Sequence, residues 1–305
     1  MIELNDDKTL FSFDRDLEPV LTVKSGETVR IRTKDCFSNQ LTGPQDTMDD
    51  LDWDAVNPAT GPVFVEGAKA GGALKVRIDN IEFDEQTCSA TGQDEGVCGN
   101  RFTEWATHYC KIQGNTLAWD ERLNIPLRPM IGVIGVAPEG EPVNCGTPGS
   151  HGGNMDNKKI TKGTRLYFPV RVPGALLQMG DVHATMGDAE LCGTGIEIPA
   201  EITVRVQLVK GFELNWPVLE TFGPNGKWYV NCSGTHYEQA LMNGSKELQR
   251  LLMRVTGWDA VETYMYMSVQ SDVEVSQGCE PCEVDVSLRI GTPKLSEFPV
   301  LIPQP

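Results

Sequence analysis

The sequence predicts a mainly β protein, with a β-sandwich or jelly-roll-like core and an α+β C-terminal part that contains two helices. Two observations support this fold class. The first two-thirds of the chain carries many short segments of alternating apolar and polar residues, separated by connections rich in Gly, Pro, Asn and Asp. The last third carries apolar residues at helical spacing. We predict a β-rich part that bears the site, residues 1–209, and an α+β part, residues 210–305.

The alternating segments define the predicted strands. GETVRIRTKD alternates after a glycine turn, and ALKVRIDNIEF repeats the pattern through Leu74, Val76 and Ile78. The segments GPVFVEGA, TRLYFPVRVPG and IPAEITVRVQLVKG add further strands. Alternation at every second residue places apolar side chains on one face of a sheet. Many short strands of this kind, joined by turns, are typical of sandwiches and jelly rolls.

Two helices are predicted in the C-terminal part. In HYEQALMNGSKELQRLLMRVTG, the residues Leu248, Leu251 and Leu252 recur at helical spacing, and Gly257 follows as a C-cap. The segment WDAVETYMYMSVQSD predicts a second helix, with Asp259 as its N-cap. The chain then returns to an alternating strand pattern, EVDVSLRI.

Composition and charge disfavour several classes of function. The 305 residues include 26 Lys and Arg against 43 Asp and Glu, which gives a formal net charge of −17. Such an acidic chain is a poor partner for nucleic acid or for an anionic membrane. No segment approaches the roughly 20 apolar residues of a membrane helix, and the charged N-terminal segment lacks the apolar region of a signal peptide. We expect a cytoplasmic protein that acts on a small molecule.

The nine cysteines are expected to be reduced, because their number is odd and no export signal is present. Cys279 and Cys282 have CxxC spacing, but a zinc ribbon needs a second pair, and a thioredoxin-like site needs a following helix. Segment 87–100 is small, polar and glycine-bearing, and it predicts a surface excursion. The sequence leaves open the role of this excursion and of the two cysteines.

Two glycine-rich acidic segments carry the candidate chemistry. SHGGNMD contains His151, and GDVHATMGDAELCGTGIEI contains Asp181, His183, Glu190 and Glu197. If the chain is extended at Asp181 and His183, their side chains point to the same face of a strand. There they can bind one cation or form a hydrogen-bonded acid/base pair. Asp, His and Glu are the ligand types of hydrolytic zinc or manganese sites.

A strand followed by a solvated acidic loop is the alternative interpretation of this segment, because Asp and Glu are commonest on surfaces. The sequence contains no H-E-x-x-H zinc motif. It also lacks the G-x-S-x-G nucleophile elbow and the G-x-x-x-x-G-K-[ST] phosphate loop. The residue pattern alone therefore predicts either a cation site or an acid/base site.

Five segments, in order, resemble the acetamidase/formamidase family. They are DCFSNQ (35–40), NPATGPVFVEGAKAG (57–71), SHGGNMD (150–156), GDVHATMGDAELCGTGIEI (180–198) and SVQSDVEVSQ (268–277). The resemblance implies hydrolysis of formamide- or acetamide-like amides to ammonia and a carboxylate. It also implies a β-sandwich-containing fold and a homo-oligomer, a dimer or larger. Segment 87–100 and the sequence QGCEPCEVDV depart from the family pattern, which bears on substrate choice or on the interface.

We hypothesise that Asp181, His183 and His151 hold a divalent cation, with zinc first and calcium or manganese as alternatives. His151, Asp181 and Glu190 would be the catalytic residues. Glu190 would act as general base and then as general acid towards the departing ammonia. A cation-free mechanism, in which a carboxylate activates water directly, uses the same residues.

The oxyanion of the reaction would be held by the segment after His151. We assign this role to the backbone N–H groups of Gly152 and Gly153 and to Asn154. The second-rank candidates for cation ligands or their neighbours are Asp35, Glu66, Asp156 and Glu197. The alternative function is a non-catalytic β-sandwich module for binding or assembly, with a structural calcium ion. Histidine discriminates the two functions, because a calcium site has no use for it.

Overall fold

The fold is described here from a computed structural model, which describes residues 1–83, 85–279, 286–294, 296–297 and 300–305. Cys282 lies outside the described residues, and so does the CxxC spacing that it forms with Cys279. Within the described residues, the chain forms two large sheets, one small two-stranded sheet and two C-terminal α-helices. None of the helices in this part of the chain combines the length and the apolar character needed to cross a membrane.

The strands of the first half are mostly short, and three of them have eight or more residues. In chain order they are β1 (Ile2–Leu4), β2 (Thr9–Leu10), β3 (Ser12–Phe13), β4 (Leu21–Lys24), β5 (Thr28–Thr33), β6 (Ala59–Glu66), β7 (Ala73–Phe83), β8 (Gln86–Thr91), β9 (Ala106–Gln113), β10 (Thr116–Ala118), β11 (Asn124–Pro126), β12 (Met130–Gly135) and β13 (Val143–Asn144). Short 3₁₀ helices cover Met48–Asp50, Trp53–Ala55 and Gly99–Arg101.

The second half contains the remaining strands and both helices. These are β14 (Arg165–Pro169), β15 (Leu177–His183), β16 (Glu197–Ile198), β17 (Ala200–Val209), β18 (Val218–Glu220), β19 (Lys227–Gly234), α1 (Tyr237–Thr256), α2 (Ala260–Gln270), β20 (Asp272–Gln277) and β21 (Val286–Pro293). The first sheet has the order β1-β5-β17-β7-β14-β18-β19-β21-β20. The second has the order β11-β10-β9-β8-β16-β15-β6-β2, and β12 pairs with β15 while β4 pairs with β6.

The two large sheets share one apolar core, which confirms the predicted sandwich. The alternation along β7 and β17 buries Val76 and Ile78 from the first strand and Val204 and Val206 from the second. The same core contains apolar residues of β6, β12 and β15 from the other sheet, such as Ile134. Alternating side chains on the inner faces of two sheets are the packing that defines a sandwich.

The two predicted helices are confirmed, and both caps have the expected geometry. The Asp259 side chain accepts a hydrogen bond from the Glu262 backbone N–H at the start of α2. Gly257 ends α1 in the left-handed conformation, with φ of 76°. Leu248 and Leu251 of α1 pack into a second apolar cluster that lies against the first sheet. Strand β14 pairs with β18, so that one sheet crosses the predicted boundary at residue 209.

The predicted surface excursion differs in part from the structure. Residues 87–91 belong to β8, and Thr87, Cys88 and Ala90 in this strand are buried. The small side chains of this strand gave no apolar alternation, although β9 and β16 cover both of its edges. The position of β8 matters for the site, because Cys88 stands opposite Glu197 in the sheet.

Candidate active site

Asp181 and His183 lie side by side at the end of β15. Asp181 Oδ1 is 3.2 Å from His183 Nε2, and both side chains are buried. The backbone of Asp181 is left-handed, with φ of 52°. This conformation is uncommon for residues other than glycine and is concentrated at functional sites. The predicted pairing is present, but in a distorted strand end.

Three more buried carboxylates converge on the same imidazole nitrogen. From His183 Nε2, the distances are 3.3 Å to Glu197 Oε2, 3.8 Å to Glu190 Oε1 and 3.9 Å to Asp156 Oδ1. Asp156 and Glu190 also have left-handed backbones, with φ of 40° and 49°. We call His183 and the four carboxylates of Asp156, Asp181, Glu190 and Glu197 the carboxylate cluster.

Two glycines make room for the carboxylate cluster. A Cβ atom at Gly132, on β12, would overlap the carboxylates of both Asp181 and Asp156. A Cβ atom at Gly195 would overlap the imidazole of His183. Both positions therefore require a residue without a side chain.

Hydrogen bonds orient part of the cluster and leave part of it without a donor. Gln277 Nε2 donates to Asp156 Oδ2 at 2.5 Å and to Glu190 Oε2 at 3.1 Å. The backbone N–H of Gly195 donates to Glu197 Oε1 at 2.8 Å. Within the described residues, Asp156 Oδ1 and Glu197 Oε2 are buried without any hydrogen-bond partner. Buried unpartnered carboxylate oxygens are costly unless a cation or a proton neutralises them.

The loop that carries Glu190 is held by a buried arginine. The guanidinium of Arg289 donates from Nη2 to both carboxylate oxygens of Asp188, each at 2.8 Å. The next residue, Ala189, donates its backbone N–H to the carbonyl oxygen of Ser276 at 2.8 Å. An ion pair in which an arginine contacts both oxygens of one carboxylate is strong and fixes the orientation of that carboxylate. Arg289 therefore fixes the position of Glu190 through its neighbour Asp188.

Burial and mutual repulsion shift the proton affinities of the cluster. Burial raises the pKa values of Asp156 and Glu197 well above their usual range, and the neighbouring carboxylates raise them further. Burial also raises the pKa of Glu190. For His183, burial acts to lower the pKa, but the carboxylates of Glu197 and Asp181 outweigh it and raise the pKa well above 6.5. The cluster therefore holds protons tightly unless a cation replaces them.

The donor atoms fit a divalent cation. Ligand atoms of Asp156, His183 and Glu190 lie within 4.8 Å of one another, and so do those of Cys36, Asp181 and Glu197. Carboxylate oxygens with an imidazole nitrogen form the donor set of hydrolytic metal sites. The unpartnered oxygens of the cluster point to the same conclusion, because a bound cation would neutralise them.

The model of the acetamidase/formamidase family matches residues 3–145 and 141–280. The chain belongs to the acetamidase/formamidase family. Its fold is similar to that of a predicted acetamidase/formamidase of Thermoanaerobacter tengcongensis, with a TM-score of 0.92 and 38% identity over 96% of this chain and 95% of that one. The fold is also similar to that of an acetamidase of Bacillus halodurans, with a TM-score of 0.90 and 36% identity. That match covers 96% of this chain and 97% of the other.

A curated relative matches the chain over part of its length. The formamidase of Methylophilus methylotrophus is 28% identical over 257 residues, which cover 64% of this chain and 62% of that protein. The chain thus aligns with less than two thirds of the length of that relative.

His151 does not join the carboxylate cluster of this family member. Its ring packs edge-on against Phe13, with 4.9 Å between ring centroids. Among the described residues, it is absent from both groups of converging ligand atoms. Burial lowers the pKa of His151 to about 4, so that the ring is neutral at pH 7. His151 and Asp156 are close neighbours in the sequence. The sequence alone did not indicate that only Asp156 faces His183.

The predicted oxyanion donors are already engaged. The backbone N–H of Gly152 donates to the Gly149 carbonyl oxygen, and that of Gly153 donates to the Ile134 carbonyl oxygen, both at 3.1 Å. These two glycines instead permit close backbone packing with positive φ angles of 106° and 78°. Asn154 is buried, and its Oδ1 has no partner among the described residues.

The second-rank candidates separate into two groups. Asp156 and Glu197 belong to the carboxylate cluster. Asp35 is buried beside it, and burial, with a contribution from Asp181, raises the pKa of Asp35 to about 6, although N–H groups of Asn39 and Phe37 act against this. Glu66 ends β6 as an exposed side chain, away from the cluster.

Four residues of the site were missed from the sequence. Gln277 and Cys36 lie within family-like segments, yet neither was assigned a role. Gly132 lies in a buried strand with no visible motif, and Arg289 lies in the last strand. The signal for Cys36 and Gln277 was their place in the quoted segments, whereas no local signal pointed to Gly132 or Arg289.

Proposed function

We propose that this chain hydrolyses the carbon–nitrogen bond of small linear amides to ammonia and a carboxylate. The observation that carries the proposal is the imidazole of His183 among four buried carboxylates, two of which have unpartnered oxygens. Membership of a family with relatives named formamidase and acetamidase supports it. The central histidine also favours catalysis over the alternative of a structural calcium site, because calcium prefers oxygen ligands alone.

A divalent cation, with zinc as first choice, fits this function. We keep Asp181 and His183 as ligands and add Asp156 and Glu197 in place of His151, whose ring packs on Phe13. When bound, such a cation lowers the pKa of a water molecule and polarises the amide carbonyl. The mixed nitrogen and oxygen donor set favours zinc or manganese over calcium.

Glu190 is the proposed general base and acid. Gln277 fixes its Oε2 by a hydrogen bond, which leaves Oε1 directed at the cluster, 3.8 Å from His183 Nε2. Burial raises its pKa, which suits a group that takes a proton from water and returns it to departing ammonia near neutral pH. Asn154 stays the proposed side-chain donor to the oxyanion. A carboxylate that activates water without a cation uses the same residues.

We also propose a cytoplasmic homo-oligomer. Seven of the described cysteines are free thiols, the state favoured in the cytoplasm, namely Cys36, Cys88, Cys98, Cys110, Cys145, Cys192 and Cys232. Helix α2 exposes apolar side chains at helical spacing, with Val261, Tyr264, Met265 and Val269 between 59% and 76% exposed. An exposed apolar stripe of this kind supports contact with another protein surface.

Ammonia release from formamide, acetamide and propionamide tests the proposed function. The zinc-loaded protein is expected to release ammonia and the matching carboxylate in equal amounts. Folded, zinc-loaded protein that releases no ammonia from any short amide would rule out the proposed hydrolysis.

A further inference from the structure

The loop that carries Glu190 has an uncommon backbone. We call residues 187–195 the Glu190 loop. Ala189 and Glu190 are consecutive left-handed residues, with φ of 74° and 49°. Such conformations persist only where the surrounding structure fixes them. The side chain of the next residue, Leu191, is 64% exposed, so apolar burial does not hold this part of the loop. Contacts from neighbouring segments must therefore hold it.

Strands β20 and β21 hold the first part of the Glu190 loop. Arg289 binds the carboxylate of Asp188 through two hydrogen bonds. The backbone N–H of Gly278, directly after β20, donates to the Ala189 carbonyl oxygen at 3.0 Å. The second part of the loop, residues 191–194, is contacted by a different segment.

That segment is the excursion that follows β8. We call residues 92–102 the turn segment. The backbone N–H of Gly99 donates to the Gly96 carbonyl oxygen at 3.3 Å, and that of Phe102 donates to the Gly99 carbonyl oxygen at 3.0 Å. These two bonds close consecutive turns and give the segment a defined shape. A segment of defined shape can support another one that lies against it.

Gly96 places the backbone of the turn segment directly on the backbone of the Glu190 loop. The N–H of the next residue, Val97, donates to the Leu191 carbonyl oxygen at 2.9 Å. A Cβ atom at Gly96 would overlap that carbonyl oxygen and the backbone of Cys192. Backbone atoms do not rotate away as the end of a side chain does, so that this contact requires glycine. It holds Leu191, the residue that follows Glu190.

The far end of the Glu190 loop is attached to β8 by Thr194. The Thr194 hydroxyl accepts a hydrogen bond from the Ala90 backbone N–H at 3.0 Å and donates to the Ala90 carbonyl oxygen at 2.9 Å. The hydroxyl of Ser89 also lies 3.0 Å from it, within hydrogen-bond distance. Strand β8 continues into the turn segment. One continuous stretch, residues 89–97, therefore contacts the loop at both Leu191 and Thr194.

We propose that the end of β8 and the turn segment position Glu190 for proton transfer, with Gly96 and Thr194 as the positioning residues. This inference rests on the proposed function, in which Glu190 is the general base and acid. Glu190 lies between two supports, because β20 and β21 hold its N-terminal side and residues 89–97 hold its C-terminal side. Proton transfer needs a carboxylate within hydrogen-bond reach of the reacting water. A displaced loop would move the carboxylate out of that reach.

Gly96→Ala tests this support, and Gly114→Ala is its matched control. The two glycines have similar left-handed φ of 67° and 63°, so that alanine causes similar backbone strain at both. A Cβ atom at Gly114 meets no neighbour, whereas one at Gly96 pushes on the Glu190 loop. For zinc-loaded Gly96→Ala, we expect kcat for acetamide to fall at least about tenfold with zinc affinity nearly unchanged, since a misplacement of about 1 Å can cost 10²-fold. Gly114→Ala is expected to keep the wild-type kcat.

A double-mutant cycle shows whether Gly96 acts through Glu190. In the Glu190→Gln background, Gly96→Ala is expected to lower kcat by less than about twofold, because the effects of residues that act as a unit do not add. A purely structural role of Gly96 would cost as much in this background as in the wild type. That result, or a wild-type kcat of Gly96→Ala, would overturn the positioning role while the proposed hydrolysis stands.

Thr194 gives a second test at a separate contact. Thr194→Val keeps the shape of the side chain but offers the Ala90 backbone no hydroxyl, and its kcat is expected to fall at least about fivefold. Thr194→Ser keeps the hydroxyl and is expected to retain at least about half of the wild-type kcat. Equal losses in the two variants would contradict positioning by these hydrogen bonds.

Hydrogen exchange measured by mass spectrometry tests the support independently of activity. The amides of residues 187–195 are expected to exchange at least about threefold faster in Gly96→Ala than in Gly114→Ala, because the loop has lost one of its supports. If the wild type releases no ammonia from any short amide, the proposed function fails, and this measurement still decides the role of the turn segment. Equal exchange in the two variants would overturn it.

Discussion

The two ring nitrogens of His183 have different surroundings. Nε2 faces the four carboxylates, and Nδ1 lies 3.3 Å from the sulfur of Met186. A thioether is only a weak hydrogen-bond acceptor. Nε2 is therefore the nitrogen that the surrounding charges prepare for a cation.

At this scale, Glu190→Gln tests the proton-transfer role. The amide keeps the size of the side chain but neither takes up nor returns a proton. We expect kcat to fall by about 10²–10⁴-fold, with little change in thermal stability. Glu66→Gln is the matched control, because Glu66 is exposed and away from the cluster. Equal ammonia release by Glu190→Gln and the wild type would remove Glu190 from the mechanism.

A second prediction concerns the effect of His151 on the pH dependence of the free energy of unfolding. The pKa of His151 is lowered from 6.5 to about 4 by burial, so that on acidification the unfolded chain takes up a proton before the native one does. This removes stability as the pH falls from about 6.5 to about 4, in total about 3 kcal/mol. In His151→Leu this loss is absent. Urea unfolding at pH 7 and pH 4 measures it, and parallel pH dependence of the two proteins would contradict the assignment.

The sequence predicts some of these residues and not others. Asp181 and His183 are two positions apart, so strand alternation alone placed them together. Gln277 and Cys36 are far from them in the chain, and only tertiary folding brings them near. His151 was selected because histidine is a metal ligand, yet a histidine beside glycines can equally be a packed core residue, and here it packs on Phe13.

At the element scale, β12 and β15 must approach closely for the carboxylates to meet. Gly132→Ala would place a methyl group against the carboxylates of Asp181 and Asp156. We expect zinc affinity to fall by at least about tenfold, since disturbance of residues around ligands already costs 10–100-fold. Gly187→Ala is the control, because a Cβ there meets no neighbour. Equal zinc affinity of both variants, measured by competition with a chelating dye, would speak against this packing.

The loop that carries Glu190 depends on strand β21. Arg289→Met removes the cation that holds Asp188 and is expected to lower the free energy of unfolding by on the order of 2–3 kcal/mol, because the arginine is buried and its partners are only partly exposed. Lys158→Met removes a half-exposed partner of the same Asp188 and should cost less than about 1 kcal/mol. Denaturant unfolding compares them, and equal losses would contradict the role given to Arg289.

Strands β5, β6, β7, β14, β17 and β21 and both helices followed from the sequence, because their local patterns agree with their tertiary surroundings. Strands β5, β7 and β17 alternate and cover one core, α1 ends at its predicted C-cap Gly257, and α2 begins at its predicted N-cap Asp259. Strand β8 was missed because Cys88 and Ala90 are too small to give an apolar pattern. Its burial comes from neighbouring strands, which a local pattern does not contain.

At the scale of the whole molecule, the site draws on both predicted parts of the chain. The sequence placed the chemistry within residues 1–209. The structure adds Gln277 from β20 and Arg289 from β21, and the first sheet runs across residue 209. Long-range strand order is what a single sequence does not reveal, since pairings such as that of β5 with β17 join segments far apart in the chain. The division at residue 209 stays a prediction about folding units.

Zinc-dependent ammonia release from acetamide tests the central claim most directly. The wild type is stripped with a chelator, zinc is added back, and bound zinc is measured beside the rate. We expect a rate that rises with bound zinc, and at least a hundredfold lower kcat for Asp181→Asn at saturating zinc. Full activity of the stripped protein would contradict the cation, and undiminished activity of Asp181→Asn would contradict the carboxylate cluster as the site of amide hydrolysis.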